Sequence, residues 1–524
     1  MRGEVVDTTV PASSPAPPSP TPLVRRAGFW LVVVAAGYSV AMLVLVAPHL
    51  PLGADESLYA TQVSPRVPAL TWTAARARGM TYLIAPIVQV TDSVVALRSY
   101  LAVLAGAALT AAYWPWLRAL RRPGTVPVAA ALFAGLWTTL LYGAEDLPNA
   151  WVAFAAVAAT GWFARYGQHP ARIASESGGS PGTSLDAGSR RSPGDRLVAG
   201  SGRPSDRRAL IGVAVGLAAI ALLRPSDAAW VALPLLATMA LVRRWRRPGP
   251  LLAVAGGCLA GAAEWIVEAH LRYGGLAARL HEASRQQGGL GWHPIGVLYQ
   301  LRALNGPLLC RPCSLHHLAA PHAWLLRAWW LAIPVLVVAA LVVARRQRRF
   351  AAIALPTAVG ASIALSYLLT IGYAAPRFLL PGYGLAALPV ASVLVAAMSA
   401  AHRGRMALLA TLVLLCVLHE AAQLATLHRV AHRTDVAAAG AAELRRLGIH
   451  RPCVLVGVRR TQMAYRLGCT TTNPAGMPGY VGRQQVVFLT WHPDDRRAGL
   501  DWRRYPMPRP GHARHWYAFV APAP

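Results

Sequence analysis

Along most of this chain the apolar positions neither alternate nor recur on one helical stripe; they run on unbroken. Eleven such runs lie at 27–47, 94–116, 125–142, 148–165, 209–223, 226–242, 250–270, 323–344, 350–371, 377–400 and 406–425. Their lengths approach the roughly 20 residues that carry an α-helix across a bilayer. A helix that is apolar all round is surrounded by lipid or by other helices. The predicted fold class is therefore mainly α, a polytopic transmembrane helical bundle of about 11 spans over 27–425. The pattern changes after 425. Val436 to Leu447 is amphipathic and stops at Gly448, a helix end signal. Cys453–Val458, Gln485–Leu489 and Trp516–Val520 have the length and apolar content of short strands. Residues 426–524 thus read as a small α/β domain.

The polar punctuation gives the chain an orientation. Arg118, Arg121 and Arg122, the arginine-bearing 166–208 loop, Arg243–Arg247, Arg345–Arg349, and Arg403 with Arg405 all fall on one side. The intervening short loops hold Glu145-Asp146, Arg224 with Asp227, and Arg377. Positive charge favours the cytoplasm, which predicts the N-terminus inside and the C-terminus outside. The loops 48–93 and 271–322, and the 426–524 domain, then face outward. Residues 1–26 are rich in Pro, Ser and Thr and read as a disordered cytoplasmic tail; 166–208, rich in Gly, Ser and Arg, reads as a disordered cytoplasmic loop. No small-residue cleavage site follows the first run, which argues against a signal peptide.

Composition agrees: 55% of residues are hydrophobic and 14% charged, too few charges for a soluble chain. The net charge of +30 would suit nucleic acid, yet the 51 basic residues are all Arg and gather in loops where they set topology. No nucleic-acid partner is expected; membrane lipids are. Arg without Lys, with much Ala, Gly, Pro and Val, points to a bacterial chain of high-GC coding, and so to a multi-pass protein of the inner (plasma) membrane.

Of six cysteines, Cys258 and Cys416 lie in apolar runs and read as small core residues. Cys453 and Cys469, on the outer face, are expected to form a disulfide; Cys310 and Cys313 are a second candidate pair, or two ligands of a zinc site with His316 and His317.

The chemistry centres on Asp55-Glu56, just past the first run. A carboxylate at the membrane–water boundary can take a proton from an acceptor hydroxyl, or help hold Mg2+ or Mn2+ beside a phosphate leaving group. No cofactor is certain from the residues. Tyr59 follows, then Arg76-Ala77-Arg78-Gly79, leading to Pro86. At this point the chain resembles the GT-C superfamily of membrane glycosyltransferases, which includes the dolichyl-phosphate-mannose protein mannosyltransferases and the bacterial aminoarabinose transferase. Gly143-Ala144-Glu145-Asp146-Leu147-Pro148 matches the place of their second acid, and Pro376-Arg377-Phe378-Leu379-Leu380-Pro381 the start of a late helix. The resemblance implies a hexosyl- or pentosyltransferase. It would move a sugar, with inversion, from a polyprenyl-phosphate donor to a cell-envelope glycan, lipid or protein acceptor at the outer face. Asp55 would be the base, with Glu56 beside it. Glu145 and Asp146 would orient substrate or metal, and Arg377, Arg224 and Arg76, with Tyr59, would line the lipid-phosphate site.

Other readings of these residues stay open. Arg377 at a helix end can be a snorkelling anchor. Arg224 and Asp227 can pair across a hairpin, with Pro225 in the first helical turn. Glu264 and Glu268 share a helix face, and Glu268 is a candidate cavity residue. Two rivals to the enzyme are a non-catalytic membrane scaffold of the same fold and a lipid or solute transporter. A transporter would be expected to show internal repeats or ionisable residues near mid-membrane.

Overall fold

The computed structural model describes residues 22–167, 204–289, 291–306, 308–311, 313, 324–400, 405–495, 497, 501–510 and 514–522. The chain is mainly helical, with one small sheet. Among the described residues seven helices are long and apolar enough to cross a membrane, or eight if a bent pair is one crossing. That is fewer than the expected eleven, while a helix stands at every expected position. The protein is a multi-pass membrane protein.

The difference has physical causes. The 125–142 run is two helices, Thr125–Ala134 and Trp137–Gly143, bent by 76° at Gly135-Leu136. The bend frees the Trp137 N–H, which the buried Gln423 side chain accepts at 2.8 Å. Pro148–Tyr166 is built largely of Ala, Gly, Thr and aromatic residues and is buried along nearly its whole length, so it meets helices rather than lipid. Pro225–Leu241 is short. Small residues let the bundle close: a Cβ on Gly257 or Gly261 would lie 2.5 and 2.1 Å from the carbonyl oxygens of Ala214 and Ala218. This is the close backbone approach that small residues four apart permit.

Several boundaries move. The first helix begins at Pro22, inside the expected tail; its arginines sit in the first turns, where long side chains reach the interface. Residues 1–21 and 168–203 of the expected tail and loop lie outside the described residues, and 204–208 already belong to the helix Pro204–Leu223. The Arg405–Ala431 helix runs past the expected boundary at 425, and the next helix, Val436–Arg446, is capped by Asp435. Cys416 is exposed, because little of that helix is buried.

The C-terminal region is built on a five-stranded sheet. Its strands are β1 (Cys453–Gly457), β2 (Thr470–Thr472), β3 (Gln485–Thr490), β4 (Arg503–Pro506) and β5 (Tyr517–Val520), in the order β2-β1-β3-β5-β4. β1 runs parallel to β2 and β3, and β5 antiparallel to β3 and β4. β2 and β4 had no sequence signal: one is three threonines, the other an exposed edge with two arginines. The helices Val436–Arg446 and Arg460–Leu467 cover the sheet's inner face. The same core takes in Leu58 and Leu70 from the first outer loop, which docks the domain onto that loop.

Candidate functional site

After the first helix the chain turns at Pro48–Pro51 and enters the short helix Ala54–Thr61. Glu56 caps it, accepting the Gly53 N–H at 2.6 Å. The rest of the Glu56 carboxylate is taken up by Arg98, which donates both terminal nitrogens to it, one at 2.8 Å, and by the Asp146 N–H at 3.0 Å. Arg98 also donates to Ala144 O at 3.0 Å and Pro51 O at 3.1 Å. Glu56 is 1% exposed and Arg98 0%. Burial alone would raise the Glu56 pKa, but the Arg98 charge and these hydrogen bonds hold it at about 2. The pair ties three segments together: the 51–56 turn, the Val94–Tyr113 helix and the 144–146 turn.

Asp55 points the other way. Its side chain is 44% exposed, accepts from Arg76 at 2.5 Å, and lies 3.5 Å from Arg377. Arg377 stands in the 3-10 turn Pro376–Leu379, beside the Tyr142 and Phe378 rings, and reaches Leu308 O at 3.5 Å. Tyr59 is buried, edge-on to Trp72, with the Arg76 guanidinium 6.0 Å from its ring. Arg224 lies 3.4 Å from Asp227 and over the Tyr367 ring. Tyr367 fills the rest of Asp227 with a hydroxyl at 2.7 Å. Arg224 is near enough to act electrostatically on both Tyr59 and Arg377. Asp55 and Tyr59 of one short helix, Arg76 of the loop after it, Arg224 and Arg377 therefore meet at one place.

Glu145 and Asp146 stand behind this place and are buried. Glu145 is 3.6 Å from Arg433; burial, then the Glu56 charge, push its pKa up to about 7. Burial and Glu56 also push Asp146 well above the usual carboxylate range, and neither Asp146 carboxyl oxygen has a hydrogen-bond partner. Glu268 is buried as well, not open to a cavity. It accepts from Arg78 at 2.7 Å and Arg279 at 2.8 Å. Arg279, fully buried between the Trp265 and Tyr273 rings, donates onward to the carbonyls of Ala74, Arg76 and Trp265. Glu268 and Arg279 thus hold the loop that presents Arg76 to Asp55.

Arg98 and Arg279 went unnoticed in the sequence. The signal for Arg98 was there: an arginine one turn inside an apolar run needs a buried partner. Cys453 is bridged to Cys469, and Cys310 to Cys313; His316 and His317 lie outside the described residues. Among the described residues no three His, Cys, Asp or Glu side chains converge as metal ligands would. Asp55, Glu56 and Glu145 each lie against an arginine, and Asp146 does not.

No family model matches the sequence, and no curated protein matches it. Solved structures do match in fold. ArnT from Cupriavidus metallidurans, solved with undecaprenyl phosphate bound, superposes with a TM-score of 0.61 at 12% identity, over 94% of this chain and 98% of that one. Its apo form gives 0.60 at 10% identity. The Archaeoglobus fulgidus oligosaccharyltransferase AglB, in complex with an inhibitory peptide and a dolichol-phosphate, gives 0.52 at 11% identity, over 89% of this chain and 70% of that one. The chain shares its fold with both of these proteins. The likeness to ArnT runs through nearly the whole of both chains, outer domain included.

Proposed function

We propose that this protein is a membrane glycosyltransferase that moves a sugar from a polyprenyl-phosphate donor to an acceptor at the outer membrane face. One observation carries the reading: an exposed carboxylate, Asp55, held between Arg76 and Arg377 at the end of the first membrane helix. Its setting is a fold whose relatives were solved with undecaprenyl phosphate and dolichol-phosphate.

Asp55 is the base. It takes the proton of the acceptor hydroxyl as that oxygen attacks the anomeric carbon. The bond from that carbon to the phosphate oxygen breaks, and the lipid phosphate leaves with the electron pair. Attack opposite the leaving group inverts the anomeric centre. Arg377 and Arg224 receive the growing charge on the phosphate through paired N–H donors, and such stabilisation of a leaving group is where a site of this kind gains most. Arg76 holds Asp55 until the donor competes for it. Glu56 acts by position, fixing the helix that aims Asp55. The acceptor is a cell-envelope glycan, lipid or protein.

The test is transfer of labelled sugar from polyprenyl-phosphate donors by membranes containing the protein, wild type beside Asp55→Asn. Loss of transfer at equal protein level is the expected result. Equal transfer by both removes Asp55 as base, and absence of transfer by wild type across hexosyl and pentosyl donors favours the scaffold or transporter.

A further inference from the structure

The far end of the bundle holds a cavity that the proposed reaction does not use. It has a volume of about 620 Å³, within the range of ligand pockets. The Val94–Tyr113 helix, continued by Trp116–Ala119, carries Arg98 at the transferase site and leads to Arg121 at the cavity. That separation is about 30 Å along the helix, so the cavity opens on the opposite face of the membrane.

Its walls are aliphatic, among them Ala340, Ala344, Ile353 and Leu355, while Arg121, Arg122, Arg348 and Arg349 stand among its lining residues. Among the described residues no Asp or Glu lines it. Arg122 is held by Ser399 at 3.1 Å, and the Arg349 Nε is buried with no hydrogen-bond partner. Burial, then the charges of Arg121 and Arg122, act against the Arg349 charge. Among the described residues these like charges, gathered over an apolar cleft, have no counter-charge in its wall. The backbone adds a second sign. Arg348 ends its helix at φ 55°, in the left-handed region, where glycine is the usual residue. An arginine stands at a position whose geometry favours having no side chain.

We propose that this cavity binds an anionic diacyl phospholipid of the inner leaflet, its phosphate among the four arginines and its acyl chains between the helices. Basic pockets between membrane helices recognise lipid head groups in this way. A soluble phosphate compound would leave the aliphatic walls wet; a zwitterionic lipid would leave the arginines without net counter-charge.

The full-length protein in neutral detergent is titrated with phosphatidylglycerol or phosphatidylcholine, and bound lipid is read by native mass spectrometry beside the melting temperature. Phosphatidylglycerol is expected to bind and raise the melting temperature, and phosphatidylcholine to do neither. The double variant Arg348→Gly/Arg349→Gln should weaken phosphatidylglycerol by roughly 30-fold, as the loss of two arginines beside an anionic head group implies. Its melting temperature without lipid should not fall, since glycine suits φ 55°. Ala396→Trp puts a large ring into the cavity and keeps every arginine; it should weaken binding as well. Equal binding of both lipids overturns the proposal. So does full binding by Ala396→Trp, which would mean a surface charge effect, and so does tighter lipid binding once residues 168–203 are deleted, which would make that segment the occupant.

Discussion

Asp55 and Glu56 are neighbours of the same chemistry with opposite fates. One step along an α-helix turns a side chain by about 100°, enough to send Asp55 toward Arg76 and Arg377 and Glu56 into the protein against Arg98. The pair itself was legible in the sequence as the place of interest. The division of roles was not, because it depends on Arg98, 42 positions away. Taking away one partner of a buried ion pair leaves the other charge unanswered and costs about 3–5 kcal/mol. Arg98→Met is thus expected to unfold far more readily than wild type in a detergent melt, and more readily than the double variant Arg98→Met/Glu56→Leu. Glu145 gives a pH dependence of definite sign. Its folded pKa of about 7 lies above its ordinary 4.5. Between those values the folded state holds more protons, so stability falls as pH rises through the window. Melting temperatures from pH 5 to 8 should show this fall, and Glu145→Gln should flatten it; an unchanged slope would mean that Glu145 does not titrate there.

Apolar length located the helices but could not tell lipid from protein as their surroundings. Pro148–Tyr166 and the bent 125–143 pair are apolar enough to be noticed, yet one is buried in the bundle and the other is broken where Gln423 of the Arg405–Ala431 helix takes up the freed Trp137 N–H. Contacts between elements distant in sequence leave no mark in local hydropathy. Gly79 is another case. It opens the helix Gly79–Val88, which had no expected counterpart, and a Cβ there would sit 2.7 Å from Leu222 O. Gly79→Ala forces that helix away from the hairpin that carries Arg224. Overpacking of this kind typically costs about 1–3 kcal/mol, and the transfer rate should drop with it. Gly37, with nothing within 4 Å of its Cβ position, is the control: Gly37→Ala should leave both the melt and the rate unharmed.

At the scale of the whole molecule, a helical bundle followed by a small sheet could be read from where long apolar runs give way to short strands. The docking of that domain could not, since Leu58 and Leu70 are ordinary apolar loop residues until the fold brings them under the helix Arg460–Leu467 and the sheet. The eight-residue helix Ala54–Thr61 has bundle on one side, through Tyr59 and Ala60, and the outer domain on the other, through Leu58. A helix so short does not persist alone in water. During synthesis, then, the first membrane helix emerges hundreds of residues before the wall that steadies the segment next to it. A nascent chain halted at residue 435 should already be threaded through the bilayer, yet leave residues 54–78 open to an added protease, which full-length chains should resist. The carboxylate made first would be the last part of the site to find its place.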